Sequence, residues 1–223
     1  LSTTAALAKD LMDPIIVTAN KIKSKDTKAT YASEVYTRED IEKSGALTIY
    51  DFFQQNTSVA IMPTYGNTFN QMIDIRGFGL TDGYKNVAIT LDGRRLNNID
   101  SLGQQLSDIP INNIERIEIT KGSGSVVHGD GATGGSIQIY TLDTEETSLQ
   151  ASIGNYGIHT QSYRTGISEG KFILSASGAN YSQGGFSDKG ADGFKDKGDS
   201  HNHGAKLKYF PTESSEIFFQ IDW

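Results

Sequence analysis

Six glycines fall within residues 122–135 of this 223-residue chain: Gly122, Gly124, Gly129, Gly131, Gly134 and Gly135. A backbone so short of Cβ atoms must take positive φ or lie closer to a neighbour than a side chain allows. Before the glycines, Arg116, Glu118 and Thr120 alternate with Ile117, Ile119 and Lys121, the period of a half-buried strand. After them, residues 136–140 alternate again. The stretch 114–139 therefore reads as a strand, a glycine-rich switchback and a returning strand.

Several chemistries fail on these residues. A phosphate cradle needs G-x-x-x-x-G-K-[ST], and no Gly-Lys-Ser/Thr occurs here. A hydrolase elbow needs G-x-S-x-G, which Gly122-Ser123-Gly124 and Gly124-Ser125-Val126 both miss. Ser123, His128 and Asp130 lie close in sequence, but a triad is defined by geometry. Turn chemistry alone places Ser and Asp among glycines, so no catalytic residue is assigned and the chain is not read as an enzyme. A plain glycine-rich turn in an extracellular β domain satisfies the same residues.

Composition narrows the compartment. The formal net charge of −7 argues against a nucleic-acid partner, whose binding surface is basic. Cysteine is absent, which removes disulfides and thiol chemistry, and the four histidines suggest no metal cage. With 24 Gly, 10 Tyr and 10 Phe, the chain suits an outer-membrane β protein or a secreted β-sandwich. No run approaches the roughly 18 apolar residues of a membrane helix. That leaves a β-barrel open, because barrel strands are short and alternating.

In chain order, Ala6-Leu7-Ala8 matches an A-x-A cleavage pattern, so residues 1–8 read as a signal-peptide remnant. Asp13, Pro14, Ile15, Ile16, Val17 and Thr18 follow, a short β-prone run behind a proline with no partner strand evident nearby. It is expected to stay extended and mobile, suited to adding to the edge of another protein's sheet. Residues 33–37 read as a strand. Thr37 caps a helix that ends at Gly45, and Thr48 caps a second helix burying Ile49, Phe52 and Phe53. Strands are expected at 59–62, 72–76 and 87–91, loops at 63–70 and 94–104, and short helical turns at 106–114.

After Thr141 the texture changes to alternating segments at 148–154, 156–167, 171–181, 205–209 and 217–223. Apolar-out, polar-in alternation suits a lipid-facing barrel wall. A soluble two-sheet domain shows a similar pattern, but it would have to bury Leu149, Phe172, Phe219 and Trp223. Short connections near 168–170 and 211–214 flank a long one at 183–202, the order expected of strands climbing outward from the periplasm. About five strands fit, and a five-strand open sheet with a lipid-facing side would expose edges and apolar surface, so the chain is expected to be a fragment.

The run Ile114-Glu115-Arg116-Ile117-Glu118, with Lys121-Gly122, Gly129, Ala132-x-Gly134-Gly135 and Ile137-x-Ile139, resembles the end of the plug domain of TonB-dependent outer-membrane receptors. Arg76-Gly77 and Asp92-Gly93 are further matches. His128 stands for a usual Tyr, Ser123 for Pro, Gln138 for Asn and Lys121 for Arg, and no glycine is lost. The resemblance implies an α+β plug domain over 31–142 followed by the start of a transmembrane antiparallel β-barrel over 143–223. Residues 9–30 become a periplasmic segment in which 13–18 resembles the TonB box.

The implied function is TonB-driven uptake of a scarce nutrient across the bacterial outer membrane, first a ferric siderophore and second cobalamin. A soluble β-rich adhesin or carbohydrate-binding domain is the alternative from another class. Implied partners are TonB with its inner-membrane energising complex, the small-molecule ligand and outer-membrane lipid, with no cofactor. Loops 63–70 and 94–104 are expected at the outer end of the plug, with Tyr65, Phe69, Asn97, Asn98 and Gln104 as ligand contacts. Arg76 and Arg116 are expected to lock the plug to glutamates on the barrel wall, most of them beyond Trp223. Asp188, Asp192, Asp196 and Asp199 recur in the long outer connection and could supply oxygens to Ca²⁺. The EF-hand spacing is absent, and Lys189, Lys195 and Lys197 offset the charge, which favours a solvated loop.

Overall fold

The computed structural model describes residues 15–17, 23–25, 32–64, 67–77, 86–96, 106–122, 131–143, 145–184, 197–212 and 215–223. Strands β1 (Ile15–Val17) and β2 (Lys23–Lys25) pair antiparallel. This corrects the expectation that the first run has no partner: polar residues at 23–25 supply backbone donors and acceptors as well as apolar ones do.

Strand β3 (Ala32–Thr37) leads into α1 (Arg38–Ser44), and α2 (Ile49–Asn56) follows. Both helices begin with a reciprocal capping box. The Thr37 amide donates to Asp40 Oδ2 at 2.8 Å, and the Thr48 amide to Asp51 Oδ2 at 3.1 Å. Gly45 ends α1 at φ 67° in the left-handed region, where a Cβ is costly. Ile41, Ile49, Tyr50, Phe52 and Phe53 turn inward and are buried.

The helices pack on a mixed sheet. It contains β3, β6 (Val87–Leu91), β7 (Arg94–Arg95), β8 (Ile114–Lys121) and β9 (Gly135–Thr141) in the order β3-β8-β9-β6-β7. Only the β6–β9 pair is parallel. Ile89, Ile117, Ile119, Ile137 and Ile139 align in register, have no exposed area and form the core with the helices. The opposite face is covered too, because Glu118, Thr120, Ser136 and Gln138 are buried. The half-buried pattern expected for β8 therefore gives way to burial on both faces from Ile117 to Thr120, while Glu115 stays exposed and Arg116 and Lys121 half-buried. Close packing explains Gly135: a Cβ there would lie 2.3 Å from the Thr120 carbonyl oxygen.

A separate ribbon pairs β4 (Ala60–Thr64) with β5 (Asn67–Asp74). The loop expected at 63–70 is thus mostly strand, with a register shift beside Pro63. A two-stranded ribbon has an open edge, and there a proline costs no ladder bond. The 94–104 loop likewise opens with the short β7. Single 3₁₀ turns at Leu106–Asp108 and Ile111–Asn113 match the expected helical turns.

Strands β10 (Ser148–Ile153), β11 (His159–Glu169), β12 (Phe172–Gln183), β13 (Gly198–Thr212) and β14 (Ser215–Asp222) form an antiparallel meander in chain order, an unclosed wall. The strand expected from Tyr156 begins only at His159, because residues 155–157 form a turn with Tyr156 at φ 58°. Leu149, Tyr163, Gly178 and His203 share one row, in the same face as Phe172, Leu207, Phe219 and Trp223. Leu149 is 80%, Phe172 51%, Phe219 68% and Trp223 67% exposed, so the burial a soluble two-sheet domain requires is not met. The other face carries Arg164, Ser177, Gln183 and Lys206, all buried where it meets the mixed sheet.

Candidate functional site

The wall grips the mixed sheet through side chains that alternation turns inward. Lys206 on β13 donates to Thr141 Oγ1 at 2.6 Å and pairs with Asp143 Oδ1 at 2.8 Å and Asp92 Oδ2 at 3.3 Å. Lys208, on the same face, pairs with Asp143 Oδ2 and reaches Glu216 at 3.3 Å. Asp92 sits at φ 48° in the Asp92-Gly93 turn and accepts the Thr141 amide at 2.8 Å. Arg164 on β11 donates to the Asn112 carbonyl at 2.8 Å, and Asn202 on β13 to the Ser107 carbonyl at 3.1 Å. Across the remaining edge Arg94 pairs with Asp222 at 3.0 Å. Most of these ties run from wall donors to acceptors on the mixed sheet and its connections.

The two arginines expected to lock outward differ. Arg116 Nε lies 2.7 Å from Glu118 Oε1, a fully buried carboxylate, and its guanidinium stacks 3.7 Å over the Tyr140 ring. Its charge is met inside the mixed sheet. Burial, with the Glu118 charge behind it, pushes the Tyr140 hydroxyl up to about 12. Arg76 is exposed at φ 74° beside Gly77, and among the described residues it has no ion pair.

At the far edge, Glu34 on β3 meets Lys121 Nζ at 2.5 Å and accepts from Ser58 Oγ at 2.6 Å and Tyr36 Oη at 3.0 Å. Burial raises this carboxyl, but the bonds from Lys121, Ser58 and Tyr36 together outweigh it and hold the group below the usual glutamate range.

Between the α1–α2 turn, residues 107–112 and the inner wall lies a cavity of about 500 Å³, lined in part by Thr48, Asn112, Ser152, Thr160, Tyr181 and Asn202. Asn112 is buried there, and among the described residues neither of its side-chain amide atoms has a hydrogen-bond partner.

Other expected site residues are only partly placed. Ile15, Ile16 and Val17 form β1, while Asp13, Pro14 and Thr18 lie outside the described residues. Phe69 falls within β5, and Tyr65, Asn97, Asn98 and Gln104 lie outside the described residues. So do Asp188, Asp192 and Asp196, whereas Asp199 is exposed on β13 opposite Ser182. Among the described residues no group of three or more His, Asp or Glu is placed to hold a metal ion. None of their helices is long and apolar enough to cross a membrane, which leaves crossing by strands untouched. The lysines and arginine of the wall were missed as site residues. The visible signal was a cation at every second position of an alternating strand, Lys206 and Lys208 between Ala205, Leu207 and Tyr209.

Comparison with known proteins accords with this arrangement. Residues 25–136 match the TonB-dependent Receptor Plug Domain family. A vitamin B12 transporter BtuB of Vibrio vulnificus is 24% identical over 206 residues, covering 92% of this chain and 33% of the relative. The ferric yersiniabactin uptake receptor FyuA of Yersinia pestis superposes with a TM-score of 0.70 at 17% identity, covering 86% of this chain and 31% of the receptor. The pyoverdine outer membrane receptor FpvA of Pseudomonas aeruginosa gives a TM-score of 0.72 at 16% identity, covering 93% and 29%. The chain thus spans about a third of the length of the relatives it matches. Its plug sheet, its five-stranded wall and the family match over 25–136 lead to one conclusion: the chain belongs to the TonB-dependent receptors, outer-membrane β-barrel proteins, and comprises a plug domain and the start of the barrel.

Proposed function

We propose that this chain is the plug and first wall strands of a transporter that carries a scarce, metal-bearing nutrient across the outer membrane, energised through TonB. The observation that carries this reading is a folded α+β plug tied by Lys206, Arg164 and Asn202 to the inner face of a wall whose outer face is apolar. A plug seated in a lumen blocks passage, so transport must displace it, and the outer membrane holds no gradient to do so. Residues 13–18, on the periplasmic side, are the handle. TonB would add a strand to β1, whose second edge pairs with no strand among the described residues. The unit boundaries in this reading are 1–8 for the leader remnant, 9–30 for the TonB-facing segment, 31–142 for the plug and 143–223 for the wall.

The ligand is a ferric siderophore in the first reading, supported by the named ligands of the structural neighbours, ferric yersiniabactin and pyoverdine. Cobalamin is the second, favoured by the vitamin B12 transporters among the sequence relatives. Tyr65, Phe69, Asn97, Asn98 and Gln104 are the proposed contacts at the outer end of the plug. Arg76 and Arg116 are the proposed locking residues, with wall partners mostly beyond Trp223, and Arg116 also pairs with Glu118 inside the plug. Binding of ferric siderophores and of cyanocobalamin to the complete receptor, measured with and without a chelator, tests the assignment. Siderophore binding unaffected by chelation supports the first reading. Chelator-sensitive cobalamin binding selects the second and brings the aspartates at 188–199 into play. A Tyr65→Ala, Phe69→Ala double variant should lose affinity for whichever ligand binds, and unchanged affinity removes that ribbon from the site.

A further inference from the structure

Lys206 sits on the inner face of β13 with only 7% of its side chain exposed. All three oxygens its ammonium reaches, on Thr141, Asp143 and Asp92, lie in the plug or in the connection that leaves it. Its cross-strand neighbours on the wall, Ser175 and Gln220, are neutral. The plug side of the contact is organised without the lysine. Asp92 Oδ1 accepts from the Thr141 amide at 2.8 Å, and Oδ2 accepts from the Thr141 hydroxyl at 2.6 Å. The tight Asp92-Gly93 turn, with Gly93 at φ 82°, holds that carboxylate at the end of β9. The Thr141 and Asp92 oxygens of the seat therefore belong to the plug, Asp143 stands at its junction with the wall, and the ammonium that occupies the seat belongs to the wall.

We propose that Lys206 is the positioning residue that seats the plug against the barrel wall, with Lys208 as a second point of hold on Asp143. The physical character of the contact suits a closure that must open. An ammonium among carboxylates is held strongly while the surroundings exclude water, and the same attraction falls steeply once the dielectric rises. A plug that begins to shift admits water, and the hold weakens as it does so. An apolar seat behaves the other way, because arriving water raises the cost of exposing it. Asp143 adds to this design. It lies just past the plug's last strand and shares its two oxygens between Lys206 and Lys208, so the chain leaving the plug is pinned where it enters the wall. The proposal rests on the reading that the plug closes the barrel lumen.

The test is ion conductance of the complete receptor in planar lipid bilayers, with neither TonB nor transport ligand present. Its outcome is therefore independent of whether the transport assignment holds. Lys206→Met should raise the frequency of conducting events by about tenfold or more over the wild type, the scale of losing one partner of a buried charge pair. Lys206→Arg keeps the charge and should stay close to wild type. Asp92→Asn, which leaves the wall sequence intact, should behave like Lys206→Met, and the double variant should be no leakier than either single one. The folded-barrel band on unheated gels separates seating from assembly and should persist in every variant. Folded Lys206→Met and Asp92→Asn receptors as silent as the wild type overturn the proposal. Loss of the folded band in both also overturns it, because a seating contact does not carry barrel assembly.

Discussion

At the scale of single residues, the buried charges of the plug are distributed unevenly. Arg116 serves Glu118 inside the sheet, and truncating it withdraws a guanidinium from a carboxylate with no exposed area. Arg116→Ala should lower the plug's unfolding free energy by about 2 kcal/mol or more. Calorimetry of the receptor checks this, and an unchanged transition temperature would show the guanidinium to be expendable there. Glu34 makes a pH-dependent contribution. Its carboxyl is held below the ordinary value in the folded plug, so its stabilisation is fully present above the unfolded pKa of about 4.3. It is lost as pH falls through the lower folded value. Plug stability should therefore drop on acidification below about pH 4, and in Glu34→Gln that part of the drop should vanish. An acid profile identical in the two proteins would detach Glu34 from the acid response.

At the scale of elements, capping and pairing decide what moves. The α1 and α2 helices have 7 and 8 residues, too short to persist without their caps and the faces they pack on β3 and β8 (α1) and on β4 and the turn at Leu106–Asp108 (α2). The β1–β2 ribbon is the opposite case, three residue pairs with no further strand among the described residues. Such a ribbon is marginal in water, which suits a segment that exchanges partners. Ile16→Pro removes a main-chain donor in β1 and should abolish TonB-dependent uptake while leaving ligand affinity unchanged. Uptake and equilibrium binding measured on the same cells separate the two effects. Normal uptake would sink the handle assignment.

At the scale of the whole molecule, two faces of one wall meet opposite solvents. The inner face turns Arg164, Lys206 and Asn202 to the plug, and the outer face exposes Leu149, Ile167, Ile217, Phe219 and Trp223. In the closed barrel that outer surface faces lipid. Phe219→Lys should therefore cost about 2–4 kcal/mol of barrel stability if the residue lies near the bilayer midplane. Denaturant titration in lipid vesicles reads this cost. A negligible change would place Phe219 near the membrane boundary instead.

Much of this was legible in the sequence because it depends on local periodicity and turn chemistry. Thr37, Gly45 and Thr48 bound the helices they were expected to bound, since caps act within four residues of themselves. The antiparallel return of β8 into β9, the Asp92-Gly93 turn and the alternating wall strands also follow from short-range rules, while residues 123–130 of the glycine-rich stretch lie outside the described residues. What lay beyond those rules was burial on a second face and the identity of distant partners. Nothing in Glu118 or Thr120 tells that both faces of β8 are covered, because the covering groups are remote in sequence. Arg116 carried an expectation of a partner on the wall, but Glu118 two residues away and Tyr140 on the next strand were nearer. Lys206 and Asp92 are 114 residues apart, and only the packing of the wall on the plug brings an ammonium to that carboxylate. Periodicity determined which side of β13 would be polar, and tertiary structure alone decided what that side would hold, because a charge takes its meaning from the groups that replace water around it.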